Sequence, residues 1–236
     1  MSLKAAILAA GKSRRLSIIQ KPKALATVQG QVLIKRTLRV LEKAGFSDIY
    51  IVIRHDSHRL RNYIKSLKIK SNVQLVYRNS QNPFYSLIAL EPYVHEEEIL
   101  VFNVDAYFDA KDLYSFVQSW KKGKFNKSDM IMWALDTRKD SLDPAYMKIN
   151  TKGLVCDYGK DIEPTSYEFG QIRCCHSRIL ELSSTLRAEG VRRTSDFIKY
   201  LIKKKFRINI FSATKYVYDI DTPQDLERVQ NLSYRG

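Results

Sequence analysis

Gly11 closes an apolar run, Leu3 to Ala10, and is followed at once by Lys12, Arg14 and Arg15, with Pro22-Lys23 a short distance on. A run of that length and composition reads as a strand buried on both faces. The turn after it therefore lies at a carboxyl end, where open α/β sheets bind ligands. Small residues let successive N–H groups converge on one point, and the neighbouring cations add charge. That chemistry suits a polyphosphate, with Leu8, Ala9, Ala10, Gly11, Lys12, Ser13 and Arg14 as its contacts. Neither G-x-x-x-x-G-K-[ST] nor G-x-G-x-x-G is spelled, so the signal is not that of a kinase, a GTPase or a dinucleotide enzyme.

A second buried run, Glu98 to Asp105, delivers a carboxylate at its end. If its strand neighbours the first, Asp105 is level with the Gly11 turn. A carboxylate facing a triphosphate is repelled unless a divalent cation lies between them, and Mg²⁺ is typically held by one or two carboxylates plus phosphate oxygens. Near the end, Asp219-Ile220-Asp221 leads into Thr222-Pro223-Gln224-Asp225, which spells a helix start: cap, first-turn proline, acidic third position.

The elements that must position these residues follow from periodicity. Val32, Ile34, Leu38 and Leu41 recur at helical spacing up to Gly45, predicting a helix over 32–44. The β-branched residues 49–53 predict a strand, Asp56 or Ser57 a cap for a helix carrying Leu60 and Ile64, and 73–77 a third strand. This β-α-β-α-β order predicts parallel strands with crossover helices. Residues 79–86 read as a polar turn leading into a helix of Leu87 to Leu90, and Asp109 or Asp112 as a cap for the helix in the segment from Asp109. Past Asp129 come a strand at 130–135, a hairpin around 151–153, a returning strand at 170–175 and helices at 179–186 and 194–204, the last capped by Thr194 or Ser195.

The order Leu8-Ala9-Ala10-Gly11-Lys12-Ser13-Arg14-Arg15-Leu16, then Pro22-Lys23, Asp105 after a buried strand, and Asp221-Thr222-Pro223, resembles the nucleotidyltransferases that make nucleotide sugars and related CDP-alcohols. Ser13 departs from the family's second glycine, and Val104-Asp105 from its Gly-Asp. The resemblance implies a three-layer, Rossmann-like, mostly parallel mixed sheet flanked by helices, of the nucleotide-diphospho-sugar transferase type. It implies one domain over 1–236, with 1–107 mainly for the nucleotide and 108–236 mainly for the acceptor. In such enzymes Arg15 and Lys23 would stabilise the charge developing at the α-phosphorus, while Asp105 and Asp221 would hold Mg²⁺, with Asp219 the fallback at i, i+2. Asn79, Gln81 and Ser86 would contact the nucleoside, amides suiting a pyrimidine edge, and Lys160 the acceptor phosphate.

The expected reaction couples a nucleoside triphosphate to a small phosphomonoester and releases pyrophosphate. The turn ending in Tyr85-Ser86-Leu87 and the run Tyr158-Gly159-Lys160-Asp161-Ile162 are similar to segments of CTP-using members, inositol-1-phosphate ahead of phosphocholine cytidylyltransferases. A sugar 1-phosphate with UTP, GTP or dTTP is the alternative within the class. Trp133, Tyr146, Tyr158, Tyr167 and Phe169 would serve either as an aromatic box for choline or as ordinary core and hairpin residues.

At 236 residues and 44% hydrophobic the chain can bury its own core. Cys156, Cys174 and Cys175 lack metal or redox spacing and fit a reducing cytoplasm. No run approaches the roughly 20 apolar residues of a membrane span. The formal charge of +15 invites a non-catalytic nucleotide- or RNA-binding reading. The basic clusters 121–127 and 199–207 carry no interleaved aromatic repeat and no recognisable nucleic-acid module, so they read as solvated faces that also steer anionic substrates. Histidines 55, 58, 95 and 176 have no serine or carboxylate partner at motif spacing, which gives nucleophilic catalysis no support.

Overall fold

A computed structural model describes residues 3–11, 22–136, 144–163, 167–214 and 216–231. Its first half runs β1 (Leu3–Leu8), β2 (Thr27–Val28), β3 (Gln31–Val32), α1 (Leu33–Lys43), β4 (Asp48–Ile53), α2 (His58–Ser66), β5 (Asn72–Tyr77), α3 (Pro83–Ile88), β6 (Glu98–Asn103) and β7 (Ala106–Phe108). The second half adds α4 (Ala110–Lys121), β8 (Met130–Asp136), β9 (Tyr146–Ile149), β10 (Val155–Gly159), β11 (Tyr167–His176), α5 (Ser177–Leu180), α6 (Ser183–Ala188), α7 (Thr194–Lys203), β12 (Ile208–Ser212), β13 (Val217–Asp219) and α8 (Pro223–Gln230).

Among the described residues one sheet of nine strands carries the fold, with β6, β1, β4 and β5 side by side and parallel. β11 pairs antiparallel with β6 and with β8, β12 runs parallel to β8, and the β9–β10 hairpin completes the mixed half. Alternation along the strands divides the core in two. Ala5, Ile7, Leu100 and Phe102 face α1, α2 and α4 through Ile34, Leu38, Leu60 and Phe116. Ala6, Leu8, Ile99 and Val101 belong to the opposite cluster, filled by Phe84 and Leu87 of α3 and by Phe197, Ile198 and Leu201 of α7. Helix, sheet and helix thus form the three layers that the β-α-β-α-β pattern predicts.

Several local expectations are corrected. The helix assigned to Leu87–Leu90 begins earlier, at Pro83, because Asn82 caps it by accepting from Phe84 N at 3.0 Å and proline occupies the first turn. The single helix at 179–186 is two short ones, α5 and α6. Arg193, not Thr194 or Ser195, takes the cap position of α7, and the carboxylate of Asp196 accepts from its N–H at 3.0 Å. The aromatic set divides across the sheet. Trp133 is sealed among Phe108, Phe116 and Phe211, whereas Tyr158 and Phe169 meet edge-on, centroids 6.0 Å apart, in the other cluster.

A two-stranded sheet, β7 antiparallel to β13, sits beyond the end of β6 and matters for the site. It is tied to the main body by Arg36 of α1, whose Nη2 donates to Phe108 O at 2.6 Å while its guanidinium lies 4.0 Å from the Tyr107 ring centroid. The Tyr107 hydroxyl donates to Gln29 at 2.7 Å, and Gln29 donates in turn to Val229 O of α8 at 2.9 Å. Val28, Leu33, Tyr107, Ile220 and Val229 pack together beneath this junction.

Candidate active site

Three chain segments far apart in sequence meet at the carboxyl end of β1. The parallel register sets Leu8 opposite Asn103, so Asp105, two residues beyond β6, lies level with the turn that ends in Gly11. Val104 N donates to Leu8 O at 3.2 Å and holds that alignment past the last strand pair. β13 sets Asp219 opposite Ala106, and Ile220 N donates to Asp105 O at 3.1 Å, bringing the second acidic segment alongside the first. Asp221 is held by the α8 start. Oδ2 of Asp225 accepts from Asp221 N at 3.0 Å and from Thr222 N at 2.7 Å, while Thr222 Oγ1 accepts from Asp225 N at 3.2 Å. This is the capping box expected from Thr222-Pro223-Gln224-Asp225.

Carboxylate oxygens of Asp105, Asp219 and Asp221 all lie within 4.8 Å of one another. Lys23 reaches them from a tight turn, Leu25 N donating to Pro22 O at 2.8 Å, with Ala24 buried below. Its ammonium bonds Asp105 Oδ2 at 2.8 Å and also pairs with Asp221 Oδ1. The side chains of Lys23, Asp105 and Asp221 are 12%, 19% and 32% exposed, so water screens these charges only in part. Burial, with the charge of Asp105 added, pushes the Asp219 carboxyl up to about 8, against the opposing pull of Lys23 and Lys160. Oδ1 of Asp219 is buried without a hydrogen-bond partner among the described residues. Three hard oxygen donors so close together, one of them orphaned, fit a divalent cation such as Mg²⁺.

The cluster opens into a cleft of about 680 Å³ lined by the Gly11 turn, the Gln81–Pro83 segment, Ser86, Asn103, Gln171 and the three aspartates. Of the expected contacts, Leu8, Gly11, Lys23, Gln81, Ser86, Asp105 and Asp221 are on its wall. Ala9 and Ala10 are buried behind it, Ala9 N donating to Val52 O at 2.8 Å. Asn79 is not on the wall: its side-chain oxygen accepts from His55 N at 3.3 Å. Lys160 is exposed beyond β10, near enough to act on the Asp219 charge. Lys12, Ser13, Arg14 and Arg15 lie outside the described residues.

Five wall residues went unforeseen, among them Asn103 and Val104, which lead from β6 to Asp105. Asn82 and Pro83 belong to the start of α3, and Gln171 sits at a bulge in β11. Gln171 has φ +60°, a left-handed conformation that costs a non-glycine residue about 1 kcal/mol or more. Its side chain meets Asn103, whose Nδ2 donates to Gln171 Oε1 at 2.6 Å.

The family model of the MobA-like NTP transferase domain matches residues 5–199, a span that includes the Gly11 turn, Lys23 and Asp105. The chain belongs to this family. The NTP transferase domain is accordingly a nucleotidyltransferase domain. Similar solved structures include the inositol-1-phosphate CTP transferase from T. maritima, at TM-score 0.81 and 18% identity, covering 97% of this chain and 94% of that one. A protein from Bacillus anthracis assigned as a glucose-1-phosphate thymidylyltransferase, solved in complex with sucrose, gives TM-score 0.85 at 18% identity, over 100% and 96% of the two chains. Both likenesses establish the fold of the transferase domain. In sequence, 114 residues are 29% identical to the bifunctional protein GlmU of Francisella philomiragia, over 48% of this chain and 24% of that protein, so the matched stretch spans about a quarter of its length. Among the described residues of the domain, no helix is long and apolar enough to cross a membrane.

Proposed function

We propose that the transferase domain couples CTP to a small phosphomonoester, inositol 1-phosphate ahead of phosphocholine, and releases pyrophosphate. The observation that carries this reading is the meeting of Lys23 with Asp105 and Asp221 beside the Gly11 turn. A phosphate-binding protein gains nothing from three carboxylates in the path of its ligand, whereas a transferase needs them to seat a cation. Asp105 and Asp221 would hold it, with Asp219 beside them. Bound Mg²⁺ would neutralise charge on the triphosphate oxygens.

An oxygen of the acceptor phosphate attacks the α-phosphorus in line. A new phosphorus–oxygen bond forms as the bond to the β-phosphate oxygen breaks, and its electron pair leaves with pyrophosphate. The attacking oxygen is already ionised at neutral pH, so positioning and electrostatics carry the rate and no general base is required. Lys23, with Arg15, offsets the charge on the transferring group. The Gly11 turn receives the leaving pyrophosphate, Gln81 and Ser86 flank the nucleoside, and Lys160 draws the acceptor phosphate.

CTP is favoured by the Tyr85-Ser86-Leu87 and Gly159-Lys160-Asp161 segments. Inositol is favoured over choline because Trp133 is sealed on the face of the sheet opposite Tyr158, Tyr167 and Phe169 and so cannot complete a box with them. Pyrophosphate release across a panel of triphosphates and phosphomonoesters tests this. The expected result is release with CTP and inositol 1-phosphate; release confined to UTP or dTTP with a hexose 1-phosphate would assign the sugar alternative. Steeply salt-dependent RNA binding with no release from any pair would favour a binding module.

The Asp225 anchor gives a further expected result. Asp225→Ala should cost about 1 kcal/mol in urea unfolding through loss of the capping box. Because the same carboxylate holds the backbone of Asp221, the Mg²⁺ concentration for half-maximal turnover should rise about tenfold.

A further inference from the structure

One pair of side chains in the cleft has no part in the phosphate chemistry. Asn103 ends β6 and Gln171 lies on the adjoining antiparallel strand β11, and their amides are joined by the 2.6 Å bond from Asn103 Nδ2 to Gln171 Oε1. Gln171 keeps a long polar side chain at φ +60°, where glycine would be at ease, and Gly170 is immediately before it. A strained residue that persists at the wall of a site points to use of its side chain. The far end of the Gln171 amide makes no hydrogen bond among the described residues, and it borders the cleft.

Position decides what that amide meets. The Gly11 turn and the Gln81–Pro83 segment follow β1 and β5, on the parallel side of β6. Gln171 is on the other side of β6, where the mixed half of the sheet begins, and shares the cleft wall with Asp219. With the triphosphate on the parallel side, the group in front of Gln171 is the acceptor.

We infer that Gln171 is a specificity-determining residue that hydrogen-bonds a hydroxyl of the acceptor beside its phosphate, and that Asn103 is a positioning residue that aims it. The acceptor is then a polyhydroxylated phosphomonoester rather than a quaternary-ammonium one. This rests on the transferase reading above and adds its acceptor class. With Oε1 engaged by Asn103, the Gln171 Nε2 is left as a donor, which suits a hydroxyl oxygen and gives a trimethylammonium group nothing. An acceptor without the hydroxyl leaves the amide unpaired, the situation in which a hydrogen-bonding site discriminates most strongly.

The test measures KM for inositol 1-phosphate, glucose 1-phosphate, phosphocholine and CTP with the full chain and with Gln171→Gly, Asn103→Ala and the double variant. Gln171→Gly removes the side chain while accepting the backbone angle, so its unfolding midpoint should equal or exceed that of the parent. KM for the polyhydroxylated acceptor that supports turnover should rise about tenfold or more, with KM for CTP within about twofold. Asn103→Ala should give a similar rise, and the double variant no further one. An unchanged acceptor KM in a folded, active Gln171→Gly enzyme, or a rise confined to CTP, would overturn this inference alone; preferred use of phosphocholine by the parent would overturn it together with the order of acceptors proposed above, leaving the transferase reading in place. Absence of pyrophosphate release from every pair by the parent chain would overturn the transferase reading with it.

Discussion

Asp105→Asn is expected to lower pyrophosphate-releasing turnover by about three orders of magnitude while the chain stays folded. The substitution keeps the shape and volume of the side chain and one oxygen able to accept from Lys23. It removes the negative charge that a cation at the three-aspartate cluster requires. Asp105 lies two residues beyond β6, and its carbonyl accepts from Ile220 N, a backbone contact that asparagine retains. Loss of turnover without loss of fold is therefore the signature, checked by pyrophosphate release beside a circular-dichroism melt. Asp221→Asn should behave similarly. Asp219→Asn should do less, because that carboxyl is pushed up to about 8 by burial and the charge of Asp105 and so contributes less charge near neutral pH. A larger effect at Asp219 than at Asp221 would reverse the assignment of the second cation-holding residue.

Lys23→Met should be nearly as damaging, by a different route. The ammonium of Lys23 spans Asp105 and Asp221 at low exposure. In the free protein it holds together carboxylates that would otherwise repel, and in the proposed reaction it would offset charge on the transferring group. Its loss should reduce kcat by about two to three orders of magnitude. It should also lower the metal-free melting temperature, because acidic groups within 4.8 Å of one another lose a neutralising partner. Added Mg²⁺ should then raise the melting temperature of Lys23→Met by more than it raises that of the parent, since the cation takes over the work of the missing ammonium. Equal shifts in both proteins, with kcat intact, would remove Lys23 from the site.

How far the sequence alone led can be seen residue by residue. β1 was legible because a strand buried on both faces has no choice but an apolar run, and the run stops where the backbone must turn. The level of Asp105 followed once β6 was taken as its neighbour, and the Thr222 box spelled itself. The apolar pattern places α3 one turn late although its signal is present: Asn82-Pro83 is a cap followed by a first-turn proline, hidden in a polar stretch that reads as a loop. The aromatic set was not legible. Which face Phe169 takes relative to Trp133 depends on the register between β11 and β8, and that register shifts between Phe169 and Arg173. The same bulge gives Gln171 its backbone angle, and nothing about a glutamine after a glycine announces a left-handed residue at a cleft wall. Asn79 lies in the expected loop, but it is off the cleft wall and its side-chain oxygen accepts from His55 N, a tertiary contact that no local pattern announces.

The account stands or falls on whether Asp105, Asp219 and Asp221 share one cation beside the Gly11 turn. Anomalous diffraction from crystals grown with Mn²⁺ and a non-hydrolysable CTP analogue addresses that directly. The account predicts one strong peak in contact with the carboxylates of Asp105 and Asp221, lost in Asp105→Asn crystals. An active enzyme with no manganese at the three carboxylates, Lys23 still bridging them with the nucleotide bound, would contradict it.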